Sequence, residues 1–130
     1  MYSFSKKSRS KLDTADPRLI QLAENVIKII DHSIKFGHRG EIEQNMLADS
    51  KRSKLRFPDS AHNKTPSKAI DIQPYPFIGW DAPEAQILAQ FTRLREVYYH
   101  EAGKLGIELK PLIIFKGSKT GDYPHIELVD

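Results

Sequence analysis

Apolar residues recur at the spacing of one helix face along residues 17–31, where Leu19, Leu22, Ala23, Val26, Ile27 and Ile30 stand three and four apart. Asp16-Pro17 gives this segment its start, since the carboxylate can cap free amides and proline fits a first helical turn. A shorter helix is predicted over 41–48, with Ile42, Met46 and Leu47 on its buried side. The longest helix is predicted over 83–104 after the Trp80-Asp81-Ala82-Pro83 turn, and Gly103 or Gly106 ends it. Its stripe is Ile87, Leu88, Phe91, Leu94, Tyr98, Ala102 and Leu105. Residues 33–36 alternate and stop at Gly37, the pattern of a short strand. Residues 69–72 read as a buried strand closed by Pro74 and Pro76. Two more strands are predicted, over 107–115, where Pro111 marks an edge or a bulge, and over 123–129, with a loop at 116–121 between them.

Two stretches lack a period. Residues 1–11 are polar and basic and read as a short flexible arm anchored only by Phe4 and Leu12. Residues 49–68 are rich in Lys, Ser, Asn and Pro, and a loop of that length in a compact domain is usually functional. With helices early and strands late, the expected fold class is α+β, a small, mostly antiparallel sheet with helices packed on it. At 130 residues the chain is expected to be one domain, 1–130.

Composition narrows the chemistry. The chain has no cysteine, so disulfides, thiolate zinc fingers and cysteine nucleophiles are excluded, and any metal must be held by His and carboxylates. The net charge of +3 suits an anionic partner such as a bacterial wall but is too small to argue for nucleic acid. The clusters Lys6-Lys7-Ser8-Arg9 and Lys51-Arg52-Ser53-Lys54 support a basic nucleic-acid-binding protein as a rival, but no nucleic-acid motif accompanies them. The N-terminal residues carry charge without an apolar stretch behind it, and no run approaches a membrane span. The expectation is therefore no signal peptide, no membrane insertion and a cytoplasmic start.

His62 lies at the end of the long loop, Asp71 interrupts the apolar strand after it, and His125 begins a second apolar run near the C-terminus. Two His and one Asp are the ligand set of a catalytic zinc that keeps one position for water. A carboxylate inside an apolar strand is costly unless it is paired or metal-bound. On spacing alone, Asp71 as a turn cap and His125 as a solvent-facing strand residue are the simpler readings. His38 and His100 are expected at the surface, His32 follows a helix end, where a cation is favoured, and none of the three is assigned a role. Glu127 shares the face of His125 and reads as a solvated strand residue, with a supporting contact to His125 as the other option.

Ser60-Ala61-His62 followed by Ala69-Ile70-Asp71 resembles the S-x-H…A-x-D motif of zinc D-Ala-D-Ala carboxypeptidases and of the related phage L-alanyl-D-glutamate endopeptidases. Asp122-Tyr123-Pro124-His125 resembles the family's closing segment, Gly37-His38-Arg39 with Gln44 its G-x-R segment, and Asp16-Pro17-Arg18-Leu19 the first helix of short phage endolysins. The interval from His62 to Asp71 is longer than the common one, and the usual Gly-Asp-Trp segment before the last acid is missing. The resemblance implies a hedgehog/DD-peptidase fold and a zinc ion held by His62, Asp71 and His125. It implies Asp122 as general base, Arg39 as the charge that stabilises the oxyanion, and Ser60 and Gln44 as residues that orient substrate or support the site. The expected function is a zinc-dependent peptidase acting on peptidoglycan stem peptides, an endolysin that acts as a monomer and reaches the wall through a holin-opened membrane. A zinc-containing wall-binding module without catalysis is the alternative on the same fold.

Overall fold

Asp16 caps helix α2 (Pro17–Ile27) by accepting from the Arg18 amide at 2.9 Å, with Pro17 in the first turn. The computed structural model describes residues 2–112 and 122–130. Leu19, Leu22, Ala23, Val26 and Ile27 form the buried stripe of α2. The helix stops short of residue 31 because the Val26 carbonyl accepts from both Ile29 and Ile30, which turns the chain into strand β1 (His32–Phe36). The longest helix, α4 (Glu84–Leu105), packs on α2 and buries Ile87, Phe91, Leu94 and Tyr98. Gly106, at φ +69°, closes α4 in the left-handed conformation that glycine adopts without a steric penalty.

Strand β2 (Ala69–Pro74) is the centre of a three-stranded antiparallel sheet ordered β1-β2-β3, where β3 is His125–Glu127. Ile34 pairs with Ile72 and Ile70 with Ile126, so one face of the sheet is apolar and meets α2 and α4. The alternate residue of β2, Asp71, pairs with His125 on one side and, past an irregularity, with Phe36 on the other. Period two thus puts the charged member of an apolar strand on the opposite face, together with a histidine from the far end of the chain. The fold is α+β, with four α-helices and a small antiparallel sheet among the described residues.

Four expectations are corrected. The N-terminal arm is a helix, α1 (Lys6–Leu12), capped by Ser5 and tied down by fully buried Leu12 and by the Ser8 hydroxyl, which accepts from Ile34 N at 3.0 Å. Within 107–112 the predicted strand is reduced to a Leu109–Leu128 bridge, with Lys110 N donating to the Glu127 carbonyl at 2.8 Å. Residues 113–115 of that strand and the loop 116–121 lie outside the described residues. In α3 (Glu41–Asp49) the buried face is Gln44 and Leu47, while Ile42 is 80% and Met46 63% exposed. The Gln44 amide, fixed by bonds to Ser53 and Leu55, sets this rotation of the helix.

The fourth correction is His32, which is a buried, neutral ring rather than a cation at a helix end. Its Nδ1–H donates to the Ile30 carbonyl at 3.1 Å, which leaves Nε2 to accept from the Tyr98 hydroxyl at 2.6 Å. Burial pushes its pKa down to about 4, against the Ile30 bond. Above pH 6.5 neither the folded nor the unfolded form holds this proton. Between 6.5 and 4 the unfolded chain takes it up and the native chain does not, so stability is lost as pH falls, by roughly 2 kcal/mol at pH 5. Denaturant unfolding at pH 7 and pH 5 is expected to show a loss roughly 2 kcal/mol larger in the native sequence than in His32→Gln. Equal losses would mean that His32 does not carry the effect.

Candidate metal centre

His62 is delivered by a single turn of 3-10 helix, Ala61–Asn63. Ser60 caps it: its hydroxyl accepts from His62 N at 3.2 Å, and its own amide donates to Asn63 Oδ1 at 3.0 Å. Asn63 Nδ2 continues to the Arg39 carbonyl at 3.0 Å and to Gln44 Oε1 at 3.3 Å. Gln44 Nε2 donates to Ser53 Oγ and to the Leu55 carbonyl. Ser60 and Gln44 are therefore buried with their polar atoms bonded inside the protein. They support the His62 turn from beneath and do not present themselves to a substrate. Asn63 belongs to the same support and escaped the sequence reading, although Ser60 followed by a polar residue three positions on is a capping pattern.

The His62 ring is fully buried and its Nδ1–H donates to the Gly37 carbonyl at 2.8 Å. That bond fixes the tautomer and turns the Nε2 lone pair to Asp71 Oδ1 at 3.1 Å and His125 Nδ1 at 3.3 Å. Gly37 can hold its carbonyl there only because it has no side chain. A Cβ would stand 2.1 Å from the Lys11 carbonyl oxygen and 2.4 Å from Thr14 Oγ1. Gly37→Ala is expected to destabilise the fold by about 3 kcal/mol, at the upper end of overpacking effects, and to weaken metal binding because the His62 ring loses its anchor. Denaturant unfolding and a zinc titration check both effects. A neutral substitution would show that α1 gives way freely.

His125 is held at both ends. Its Nε2–H donates to Glu127 Oε1 at 2.8 Å, so Nδ1, 3.3 Å from Asp71 Oδ1, is the ring nitrogen left for a metal. Its carbonyl, and that of Tyr123 at 2.9 Å, accept from Arg95 Nη1 on α4. Glu127 also pairs with Lys110, so it is an orienting carboxylate and not a solvated strand residue. The shared strand face was its sequence signal, while Arg95 gave none, because a buried cation on a helix face is invisible without the tertiary partner.

The site is electrostatically tight. Burial by itself would raise Asp71, but His62 and His125 hold it well below the usual carboxylate range. Burial opposes the charged form of His125 too, and its bonds to Asp71 and Glu127 carry it up to about 9. Glu127, against its own burial, is drawn down to about 2 by His125 and Lys110. Asp122, in the turn before β3, is pushed up by burial and by Asp71, against the pull of His125, His62 and Arg95. Arg39 is 8% exposed, with its guanidinium 4.9 Å from the Phe36 ring centroid. Burial lowers its pKa, while Asp71, Glu43 and Asp122 act the other way, so the cation lies in the field of the centre. Its Nε is buried without a hydrogen-bond partner among the described residues. His38 and His100 are exposed, as expected.

One donor atom each from His62, Asp71 and His125 lies within 4.8 Å of the other two. Both imidazoles spend their second nitrogen on a protein acceptor, so two ring nitrogens and a carboxylate oxygen converge, and a metal would displace the proton that His125 shares with Asp71. This donor set fits a zinc ion that retains an open position.

No curated protein matches the chain. Among solved structures it is similar to the L-Ala D-Glu endopeptidase ChiX of Serratia marcescens, at 18% identity over 98% of this chain and 91% of that one, with a TM-score of 0.73. The sequence profile described as phage L-alanyl-D-glutamate peptidase matches residues 1–129, a span that contains every element converging on the centre. The chain therefore belongs to the phage L-alanyl-D-glutamate peptidase family.

Proposed function

We propose that this peptidase is a zinc-dependent endopeptidase that cleaves the L-Ala–D-Glu bond of peptidoglycan stem peptides. The observation that carries the metal is the convergence of His62, Asp71 and His125, each histidine oriented by its second nitrogen. The family carries the bond. Zinc, when bound, supplies Lewis acidity at the scissile carbonyl. Asp122, next to the ligands in the chain and within their electrostatic field, takes the proton of the attacking water and returns it to the departing D-Glu amine. Arg39 supplies fixed positive charge for the oxygen of the scissile carbonyl as it gains negative charge. The endolysin role, and release to the wall through a holin-opened membrane, follow from the same reading. Among the described residues no helix is long and apolar enough to cross a membrane.

Digestion of purified peptidoglycan by the zinc-loaded protein, followed by end-group analysis, tests this. New amino-terminal D-Glu, abolished by chelation and restored by zinc, is the expected product. Free D-Ala instead would identify a carboxypeptidase. Binding to the wall without cleavage would identify a non-catalytic module.

A further inference from the structure

The outward turn of Ile42 and Met46 leaves an apolar wall in solvent beside the metal centre. With Leu47 and Phe36 it forms an open groove of about 770 Å³. The groove reaches the centre through Phe36, which pairs with Asp71 across the sheet and meets the His62 ring edge-on at 6.5 Å. At its rim stand Glu41 and Glu43, with Arg52 also on the lining. Both glutamates are exposed, and no ion pair engages either among the described residues. Acidic residues in a first helical turn favour the helix dipole, which accounts for their charge. It does not account for an isoleucine 80% exposed between them.

A groove with aliphatic walls and an acidic rim fits an aliphatic chain that ends in an ammonium group. The stem peptide offers one such group near the scissile bond, the side chain of the diamino acid that follows D-Glu. The charges also agree in order. The Arg39 cation lies in the field of both Asp71 and Glu43, so positive charge neighbours the ligands and negative charge lines the groove. Moving away from the scissile amide, the substrate presents the D-Glu carboxylate and then the amine. We propose that the Phe36–Ile42–Met46 groove binds the aliphatic ammonium side chain of the third stem residue, with Glu41 and Glu43 as its counter-charges. This rests on the proposed cleavage between L-Ala and D-Glu and places the leaving-group side of the substrate along α3. Lysine and meso-diaminopimelate share the ammonium. Diaminopimelate adds a terminal carboxylate, to which Arg52 on the groove lining can donate.

The test uses the zinc-loaded full chain and four synthetic stem peptides that differ only in the third residue: lysine, acetyl-lysine, norleucine or meso-diaminopimelate. Two exposed charge pairs predict kcat/KM about fivefold higher for lysine than for norleucine or acetyl-lysine, mostly through KM, with the gap shrinking in high salt. In the double variant Glu41→Gln, Glu43→Gln the ratio is expected to fall to about twofold or less. Arg52→Gln is expected to lower cleavage of the diaminopimelate peptide relative to the lysine one, and equal loss on both would remove Arg52 from the site. Equal cleavage of the lysine and norleucine peptides would overturn the groove assignment and leave the endopeptidase reading intact. Cleavage of none of the four, with intact zinc binding, would overturn both.

Discussion

Asp71→Asn is expected to strip the centre of its metal while leaving the fold standing. Asparagine keeps the shape of aspartate, and the apolar core lies on the other face of the sheet, in Leu19, Leu22, Val26, Ile70, Ile72 and Tyr98. What is lost is the one anionic donor. Protein zinc sites gather roughly 10–16 kcal/mol from their donors, so one donor is worth about 3 kcal/mol, or at least 10²-fold in affinity. Without the ion the scissile carbonyl loses its Lewis acid, and kcat/KM on a soluble stem peptide is expected to fall by about 10³-fold or more. The same loss reads out in stability. Free zinc at about 1,000 times its Kd adds roughly 4 kcal/mol to the native protein, a rise in Tm on the order of 10 °C, of which the variant should keep about a third or less at the same zinc concentration. Asp71 is a cleaner probe than His62, whose ring is fully buried and bonded to the Gly37 carbonyl, so that His62→Ala would leave a cavity and an unpaired acceptor as well. Unchanged zinc affinity in Asp71→Asn would show that the three donors do not share an ion.

The apolar periods of α2 and α4 and the run at β2 were legible because burial of one face imposes its own spacing on a sequence. Asp71 stood out for the same reason, as a charge in an apolar strand. Its partners did not. His125 is 54 residues further on and meets Asp71 only through strand pairing. Residue types alone left the pair open, and the motif resemblance brought them together. The errors share one cause. Ile42 and Met46 look like a core stripe, but a glutamine with two hydrogen bonds rotates α3 the other way. His32 looks like a cation at a helix end, but the chain turns early and carries it against Tyr98. In each case a polar contact between distant segments decides the orientation, and such contacts leave no period in the chain.

Asp122→Asn is expected to separate rate from metal. Asp122 is not among the three converging donors, and its backbone carbonyl, which accepts from His125 N at 2.9 Å, survives the substitution. Asparagine also suits the turn that aspartate occupies. Zinc affinity and Tm should therefore stay close to those of the native chain. An amide cannot take a proton from water at neutral pH, so a base contribution of about 10²–10⁴-fold should disappear from kcat, with KM little changed. Set beside Asp71→Asn, which loses metal and rate together, this pattern assigns the two carboxylates to different tasks in one site. Their environments already differ in that sense: the histidines hold Asp71 ionised, while burial and the neighbouring Asp71 charge raise the proton affinity of Asp122. Steady-state kinetics with a zinc titration on the same preparation checks the assignment. Loss of zinc along with rate would make Asp122 a fourth donor, and full activity would place the proton acceptor elsewhere.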